Sequence, residues 1–175
     1  MWSHVVVSLL LAAAAGAAAA GAAPAGAGAG AGAEPYNSTA VSRCTESSGA
    51  ALPLHVLVAG CAAPPCRLPQ LQHAELDIVF QAPRYVETME TVATAYFLGQ
   101  STEYPLGPDA ATCAGLLNSY CPVLRGEVLR YKLRLFIERF MFVGVRADIE
   151  FKVREAGGED LFCFRTGIQV VRPQP

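Results

Sequence analysis

Cysteines are the residues of this chain with the clearest capacity for chemistry. Cys61 and Cys66 are separated by four residues in the segment CAAPPC. A zinc site would need a second close pair or histidines at ligand spacing, and His55 and His73 form no such set. A thioredoxin-like redox pair has two intervening residues rather than four. We therefore predict disulfides for all six cysteines: Cys44, Cys61, Cys66, Cys113, Cys121 and Cys163.

The pairing of the cysteines can be argued from loop length. Six cysteines allow fifteen pairings in principle. Closing a short loop costs less chain entropy than closing a long one, which favours the local bridges Cys61–Cys66 and Cys113–Cys121. The remaining bridge, Cys44–Cys163, would tie one end of the domain to the other, and a loop of that size stabilises a fold by about 4–5 kcal/mol in the chain-entropy account.

Two carboxylates have the spacing of a catalytic pair. Asp148 and Glu150 lie on one face of a predicted strand, but Arg146 and Lys152 share that face, so we interpret it as a solvated, charged surface. The sequence contains no nucleophile elbow, phosphate-binding loop or metal signature. We expect no enzymatic activity, no cofactor and no metal.

The first 33 residues contain no Asp, Glu, Lys or Arg. The apolar run from Val5 to Ala20 is typical of a secretory signal. Ala31-Gly32-Ala33 is one small-x-small cleavage site, which would leave Glu34 at the mature N-terminus, and earlier Ala triplets serve equally well. A membrane anchor is the alternative, although Ala and Gly favour insertion far less than Leu or Ile. We predict a signal peptide and spacer over residues 1–33 and one domain over 34–175.

Charge and modification signals fit a secreted protein without nucleic-acid partners. Thirteen basic and fifteen acidic residues leave no basic footprint for nucleic acid. Asn37-Ser38-Thr39 is an N-glycosylation sequon. We therefore expect Asn37 to carry a glycan if the signal functions.

The C-terminal third alternates apolar and polar residues with a period of two. LRYKLRLFI (129–137) and VGVRADIEFKV (143–153) each place apolar residues on one face and charges on the other, which a helix cannot use. LFCFRTGIQVV (161–171) has the same spacing at Phe162, Phe164, Ile168 and Val170. These patterns predict strands with one buried face and one solvent-exposed face, as in antiparallel sheets.

Further strands complete a sandwich. AELDIVF places Leu76, Ile78 and Phe80 on one face, TVATAYFL and LHVLVAG are further apolar runs, and we count one more strand near Cys44. Residues 108–121 are the one stretch with a predicted helical turn. Seven or eight strands joined by Pro and Gly turns predict an all-β fold, an immunoglobulin-like two-sheet sandwich.

In its cysteine order, turns and predicted strands, the chain resembles the ML (lipid-recognition) domain family, and within it the Niemann-Pick type C sterol-transfer branch. The matching features are the C-x4-C loop with PPC, the LDIVF strand, YPLG before Cys113, CPVLRGE at 121–127, and LFCF followed by IQVV. The resemblance covers nearly all of residues 34–175. It implies two sheets that stand apart to leave an apolar cavity, and it agrees with the disulfide pairing above.

The resemblance also implies where a ligand would bind. Tyr104, Ile137 and Phe140 fall at positions that frame the mouth of the cavity in the sterol-transfer branch, and the Tyr104 hydroxyl is a candidate polar group there. Aromatic residues are expected to line the cavity, although by periodicity alone they could equally be ordinary core. They are Phe80, Tyr96, Tyr131, Phe151, Phe162 and Phe164.

The segment Phe140-Met141-Phe142 breaks the two-residue alternation. At least one of these side chains should therefore face away from the core, and an exposed apolar loop is typical of an interaction site. We expect Phe140 and Phe142 to form part of the portal, with packing under the sandwich as the alternative. Nearby, Gln70-Leu71 replaces a lysine-glycine pair that is common in the family.

The resemblance implies a lipid carrier. We expect a secreted, possibly lysosomal, monomer that binds a sterol or another lipid between its sheets and passes it to a membrane or a membrane-protein acceptor. The alternative is a recognition module, either a lipid-sensing co-receptor of the innate-immune type or an adhesion domain. Co-purification of lipid would distinguish the carrier from the adhesion domain, and a stable receptor complex would favour the co-receptor.

Overall fold

The computed structural model describes residues 38–45 and 50–173, which form two β-sheets. The predicted signal segment and the predicted glycosylation site Asn37 lie outside the described residues. Within those residues, no helix has the length and apolar character needed to cross a membrane. The strands are β1 (His55–Val58), β2 (Cys66–Pro69), β3 (His73–Gln81), β4 (Met89–Phe97), β5 (Gln100–Tyr104), β6 (Val128–Phe136), β7 (Arg146–Glu155) and β8 (Asp160–Val171).

The strands divide into a small and a large sheet. The three-stranded sheet has the order β1-β3-β6, and the five-stranded sheet has the order β2-β8-β7-β4-β5. All neighbouring strands are antiparallel except β2 and β8, which run parallel. Strands β5 and β6 are therefore edge strands of different sheets. The border between β5 and β6 carries the candidate site, because Tyr104 of β5 bonds to the end of β6 there.

The predicted alternation is confirmed in the long strands. In β6 the inward residues Leu129, Tyr131, Leu133 and Leu135 are buried while Arg130 and Arg134 are exposed. Strands β3 and β8 follow the same rule, with Leu76, Ile78, Phe80, Phe162, Phe164, Ile168 and Val170 all buried. Each strand thus buries one face against the opposite sheet, which is the predicted immunoglobulin-like β-sandwich.

Three details differ from the sequence prediction. Strand β7 begins only at Arg146, so Val143, which was predicted to face inward, is exposed in the preceding loop. Near Cys44 the chain makes one isolated bridge, Ser42 with Arg165, in place of the predicted strand. Strands β2 and β5 were not predicted, because four or five residues are too few to display a period.

All three predicted disulfides are present: Cys44–Cys163, Cys61–Cys66 and Cys113–Cys121. The first joins the N-terminal segment to β8 across a sequence separation of 119 residues. The second closes the turn that leads into β2. The third closes a loop that starts inside the second of two short 3-10 turns, Gly107–Ala110 and Thr112–Gly115. These turns lie where a helical turn was predicted.

The charged face of β7 is less solvated than predicted. Glu150 has only 1% of its surface exposed. Its carboxylate accepts a hydrogen bond from Arg165 at 2.9 Å and lies 3.2 Å from the Lys152 Nζ. Because both cations are close, the buried charge is paired, and the prediction of an open surface is wrong for Glu150.

The 3-10 turns close one part of the gap between the sheets. Thr91 of β4 hydrogen-bonds at 2.7 Å to both Thr112 and the Tyr131 hydroxyl of β6. A Cβ on Gly115 would lie 2.6 Å from the Tyr131 ring and 2.7 Å from the Lys132 carbonyl. Only a residue without a side chain allows the turn to approach β6 this closely.

Candidate functional site

The interior between the sheets is apolar and rich in aromatic rings. Phe80 from the small sheet meets Phe162 from the large sheet, with ring centroids 4.7 Å apart. Phe164 continues the row, 6.3 Å from Phe162 and 5.3 Å from Phe151. The structure thus brings four of the predicted lining aromatics together between the sheets. In this arrangement the rings are packed against one another.

Tyr96 does not belong to this interior, and the prediction that it lines the cavity is wrong. The inward positions of β4 are Met89, Thr91, Ala93 and Ala95, so Tyr96 is one residue out of phase. Its ring lies on the outer face of the large sheet, with the Arg165 guanidinium 4.0 Å from its centroid. The cation–π contact explains why an aromatic residue is stable on that face.

Tyr104 crosses from one sheet edge to the other. It is the last residue of β5, and only 2% of its surface is exposed. Its hydroxyl donates a hydrogen bond to the Phe136 carbonyl at 2.7 Å and accepts one from the Glu138 N–H at 2.9 Å. Burial is the main cause that raises the pKa of this phenol; the Glu138 N–H lowers it and the Glu138 charge raises it. The side chain therefore holds the edges of β5 and β6 together as a neutral phenol.

Ile137 lies inside the core rather than beside an opening. Its side chain is fully buried. Its backbone extends the pairing of β6, since Leu71 N–H donates to the Ile137 carbonyl at 2.7 Å and Ile137 N–H donates to the Gln72 carbonyl at 2.9 Å. The expected mouth at Tyr104 and Ile137 is therefore closed in this structure.

Gln70 fixes the loop that follows β6. Its side-chain amide donates to the carbonyls of Arg139 at 2.9 Å and Met141 at 2.8 Å. Leu71 has a φ of 62°, a left-handed conformation that favours glycine. This is the position where a family glycine was expected. The sequence marked Gln70 as unusual, but its role in holding the loop needed the coordinates, because the two segments are distant in the chain.

Phe140 and Phe142 face outward, as the break in alternation predicted. Phe140 is 58% exposed and Phe142 is 73% exposed, whereas Met141 between them is buried. The Phe140 ring lies 5.8 Å from the ring of Tyr104, so this loop borders the Tyr104 contact directly.

The loop is part of a larger apolar area at one end of the sandwich. The end of β6 lies beside the start of β3, and the end of β4 lies beside the start of β7. The loop after β6 leads into β7, so these turns belong to the same end of the sandwich. We call the exposed apolar residues of these turns the portal-end surface. It comprises Leu71, Phe97, Leu98, Phe140, Phe142 and Val143.

Open cavities occur on the outside of the sheets. A cavity of about 420 Å³ lies along β8 beside Val143 and Arg172, and one of about 280 Å³ lies beside Phe97 and Arg146. Their walls come from the large sheet and its loops alone. Between the sheets, by contrast, Phe80 packs against Phe162 and Tyr104 closes the edge, so a ligand bound at these positions would need the sheets to move apart.

Comparison with known families identifies the class of protein. The profile of the ML domain matches residues 38–170. The chain belongs to the ML-domain family. A search of curated protein sequences gave no match.

Solved structures agree with the fold. A crystal structure of a Niemann-Pick type C2 protein from Japanese carpenter ant is 16% identical, with a TM-score of 0.62, and covers 75% of this chain and 98% of its own. Chicken MD-1 complexed with lipid IVa is 13% identical, with a TM-score of 0.44, over 65% of this chain and 79% of its own. The C-terminal domain of wzt is 14% identical, with a TM-score of 0.45, over 69% and 71%. The first match supports the sandwich fold; the other two are too distant to support a conclusion.

Proposed function

We propose that this protein is a secreted or lumenal lipid-binding and transfer protein. It would hold a sterol or a similar hydrophobic ligand between its two sheets and pass it to a membrane or an acceptor protein. Membership of the ML family, whose resemblance implied lipid binding, supports lipid as the ligand class.

The edge between β5 and β6 is the observation that supports this function best. Within each sheet the strands are joined by ladders of backbone hydrogen bonds, but β5 and β6 belong to different sheets. Near the portal-end surface, the side chain of Tyr104 joins β5 to the end of β6 through two hydrogen bonds. Two such bonds are worth about 1–3 kcal/mol together. Fewer hydrogen bonds are broken by opening this edge than by dividing a sheet, so we place the opening between β5 and β6.

The interior offers a ligand a favourable environment once the edge opens. Its walls are apolar and aromatic. Moving apolar lipid surface out of water contributes roughly 25 cal/mol per Å². Separation of the packed aromatic rows costs part of that energy, which gives an affinity moderate enough for release.

The portal-end surface supports transfer to a membrane. Its exposed phenylalanines border Tyr104, so a lipid leaving between β5 and β6 would pass beside them. Exposed apolar patches of this kind mark interaction sites. If this surface contacts a bilayer, the lipid can move from the protein into the membrane without crossing water.

The predicted signal segment and the three disulfides support an extracellular or lumenal compartment, because disulfides persist where the environment is oxidising.

Replacement of Phe142 tests the transfer step. Phe142→Ser should slow transfer of a fluorescent sterol from the protein to vesicles about fivefold or more, because the variant loses apolar contact with the bilayer. Equilibrium binding of the sterol should change little, since this side chain lies outside the interior. The measurement is the transfer rate by energy transfer to a quencher in the vesicles.

Leu124→Ser is the matched control. Leu124 is 64% exposed and lies beyond the opposite end of β6, so its loss should leave transfer unchanged. Equal slowing by both variants would contradict the assignment of the portal-end surface. Failure of the unaltered protein to bind any extracted lipid or fluorescent sterol would contradict the carrier function itself.

A further inference from the structure

Thr39 completes the glycosylation sequon Asn37-Ser38-Thr39, yet the fold buries it. Only 2% of its surface is exposed. Its hydroxyl donates a hydrogen bond to the Cys61 carbonyl at 2.5 Å and accepts one from the Val58 N–H at 2.8 Å. Its own N–H donates to the Val56 carbonyl at 2.8 Å. The Thr39 hydroxyl therefore joins the N-terminal segment to β1 and to the turn that follows β1.

Ser38, the middle residue of the sequon, is held by the same strand. Its hydroxyl hydrogen-bonds with Nδ1 of His55 at 2.5 Å. A few residues later, Cys44 is bonded to Cys163 of β8. Both ends of this short segment are thus fastened to strands. Asn37 itself lies outside the described residues.

Attachment of a glycan requires the same threonine hydroxyl. N-glycosylation transfers an oligosaccharide from a lipid pyrophosphate donor to the side-chain amide nitrogen of Asn37. The nitrogen forms a bond to the anomeric carbon of the sugar, the bond from that carbon to the pyrophosphate oxygen breaks, and the amide loses one proton as the pyrophosphate leaves with the electron pair. The transferase selects its acceptors by a hydroxyl two residues after the asparagine, which is why only Ser or Thr completes the motif.

The folded protein withholds this hydroxyl from an enzyme. It is buried, and its two hydrogen bonds to Val58 and Cys61 occupy it both as a donor and as an acceptor. Release of Thr39 would leave a backbone N–H and a carbonyl of β1 and its turn without this partner, which is costly at a buried position. The native fold and the transferase therefore compete for one side chain.

We propose that Asn37 accepts a glycan only before the fold closes around Thr39, whose hydroxyl serves first in recognition by the transferase and then as a clamp in the native structure. Its partner Cys61 lies 22 residues farther along the chain. Chains grow at about 5–20 residues per second, so about 1–4 s separate the synthesis of the two residues. The modification thus belongs to the growing or unfolded chain. It requires the secretory route of the proposed function, but not lipid binding.

A transferase assay on two forms of the chain tests this order of events. The unglycosylated protein is purified from bacteria in its folded, disulfide-bonded form, and a second sample is unfolded by reduction and alkylation. Both are incubated with purified oligosaccharyltransferase and a lipid-linked oligosaccharide, and the glycan at Asn37 is quantified by mass spectrometry. We expect the unfolded sample to be modified at least about tenfold faster, because the folded sample reacts only when the clamp opens.

Two outcomes of this assay would overturn the proposal. Equal rates for the two samples would show that the fold does not withhold Thr39. An unfolded chain that stays unmodified would show that Asn37 is no acceptor. Neither outcome depends on lipid binding, so the carrier function is tested separately.

Gln100→Asn supplies a control within the same molecule. It turns residues 100–102 into a second sequon, whose threonine, Thr102, is exposed on the edge strand β5. In the folded variant this new site should be modified and Asn37 should not. Absence of a glycan at both sites would show that the transferase rejects the folded chain as a whole, which would overturn the particular role of Thr39.

The clamp is tested by Thr39→Val, which keeps the shape of the side chain and removes the hydroxyl. The Val58 N–H and the Cys61 carbonyl lose a partner, so the midpoint of thermal unfolding should fall by about 5 °C. Asn37→Gln is the matched control, because it also destroys the sequon but leaves the clamp in place, and its midpoint should stay unchanged. Equal midpoints for the two variants would contradict the clamp.

Discussion

At the scale of single residues, Tyr131 shows how a buried hydroxyl can set the response of the fold to pH. Its ring is almost completely buried, and its hydroxyl hydrogen-bonds with Thr91. Burial is the main cause that raises the pKa of Tyr131 to about 12, against the lowering effect of the hydrogen bonds from Thr91 and Thr112. The folded protein therefore keeps this proton at a pH where the unfolded chain loses it.

This difference predicts a loss of stability in alkali. Between about pH 10 and pH 12 the folded state binds more protons than the unfolded state, so the free energy of unfolding falls as pH rises. Tyr131 contributes about 2–3 kcal/mol of this fall. Tyr131→Phe should flatten the pH dependence in this window, as measured by urea unfolding at several pH values. An unchanged slope, compared with Tyr120→Phe as control, would contradict the assigned pKa.

Whether a side chain points inward or outward could be predicted only where the alternation of apolar and polar residues is long. The alternation in β6 placed Tyr131 correctly because charged residues marked the opposite face, and the same two-residue spacing in β8 placed Phe162 and Phe164. Tyr96 was assigned to the interior because it is aromatic, and β4 has few charges to show its phase. The cation–π contact with Arg165 that stabilises it outside comes from a strand some 70 residues later, which no local pattern reveals.

At the scale of elements, the second 3-10 turn (Thr112–Gly115) joins the two sheets on one side. Gly115→Ala would place a methyl group within 3 Å of both the Tyr131 ring and the backbone of β6. The backbone cannot yield as a flexible side chain can, so we expect a destabilisation of about 1–3 kcal/mol. Chemical denaturation measures it. The neighbouring exposed Ala114→Ser adds one atom without this contact, and equal stability of the two variants would contradict the close approach.

The short elements around the site are those that the sequence did not predict. Strands β2 and β5 have four and five residues and are stabilised by their neighbours in the large sheet, not by a pattern of their own. The loop after β6 depends on Gln70, whose amide bonds span about 70 positions in sequence. Such contacts are properties of the assembled fold, whereas the outward direction of Phe140 and Phe142 followed from a local break in period.

At the scale of the whole molecule, the separation of the two sheets determines the function. The two-residue period predicted which side chains point inward. It could not predict the distance between the sheets, because side chains point inward both in a tightly packed core and around a ligand cavity. The structure places Phe80 against Phe162 across the gap and closes the edge with Tyr104. The interior is therefore closed in this structure, and the proposed carrier function requires opening between β5 and β6.

Photolabelling tests this account most directly. A cholesterol analogue with a diazirine on its ring system is crosslinked to the purified protein, and the labelled residues are identified by mass spectrometry. The account predicts saturable labelling, prevented by excess cholesterol, on inward-facing residues of both sheets, such as Phe80 and Phe162. Labelling confined to outward-facing residues such as Tyr96 and Lys152, with none on inward positions, would contradict binding between the sheets.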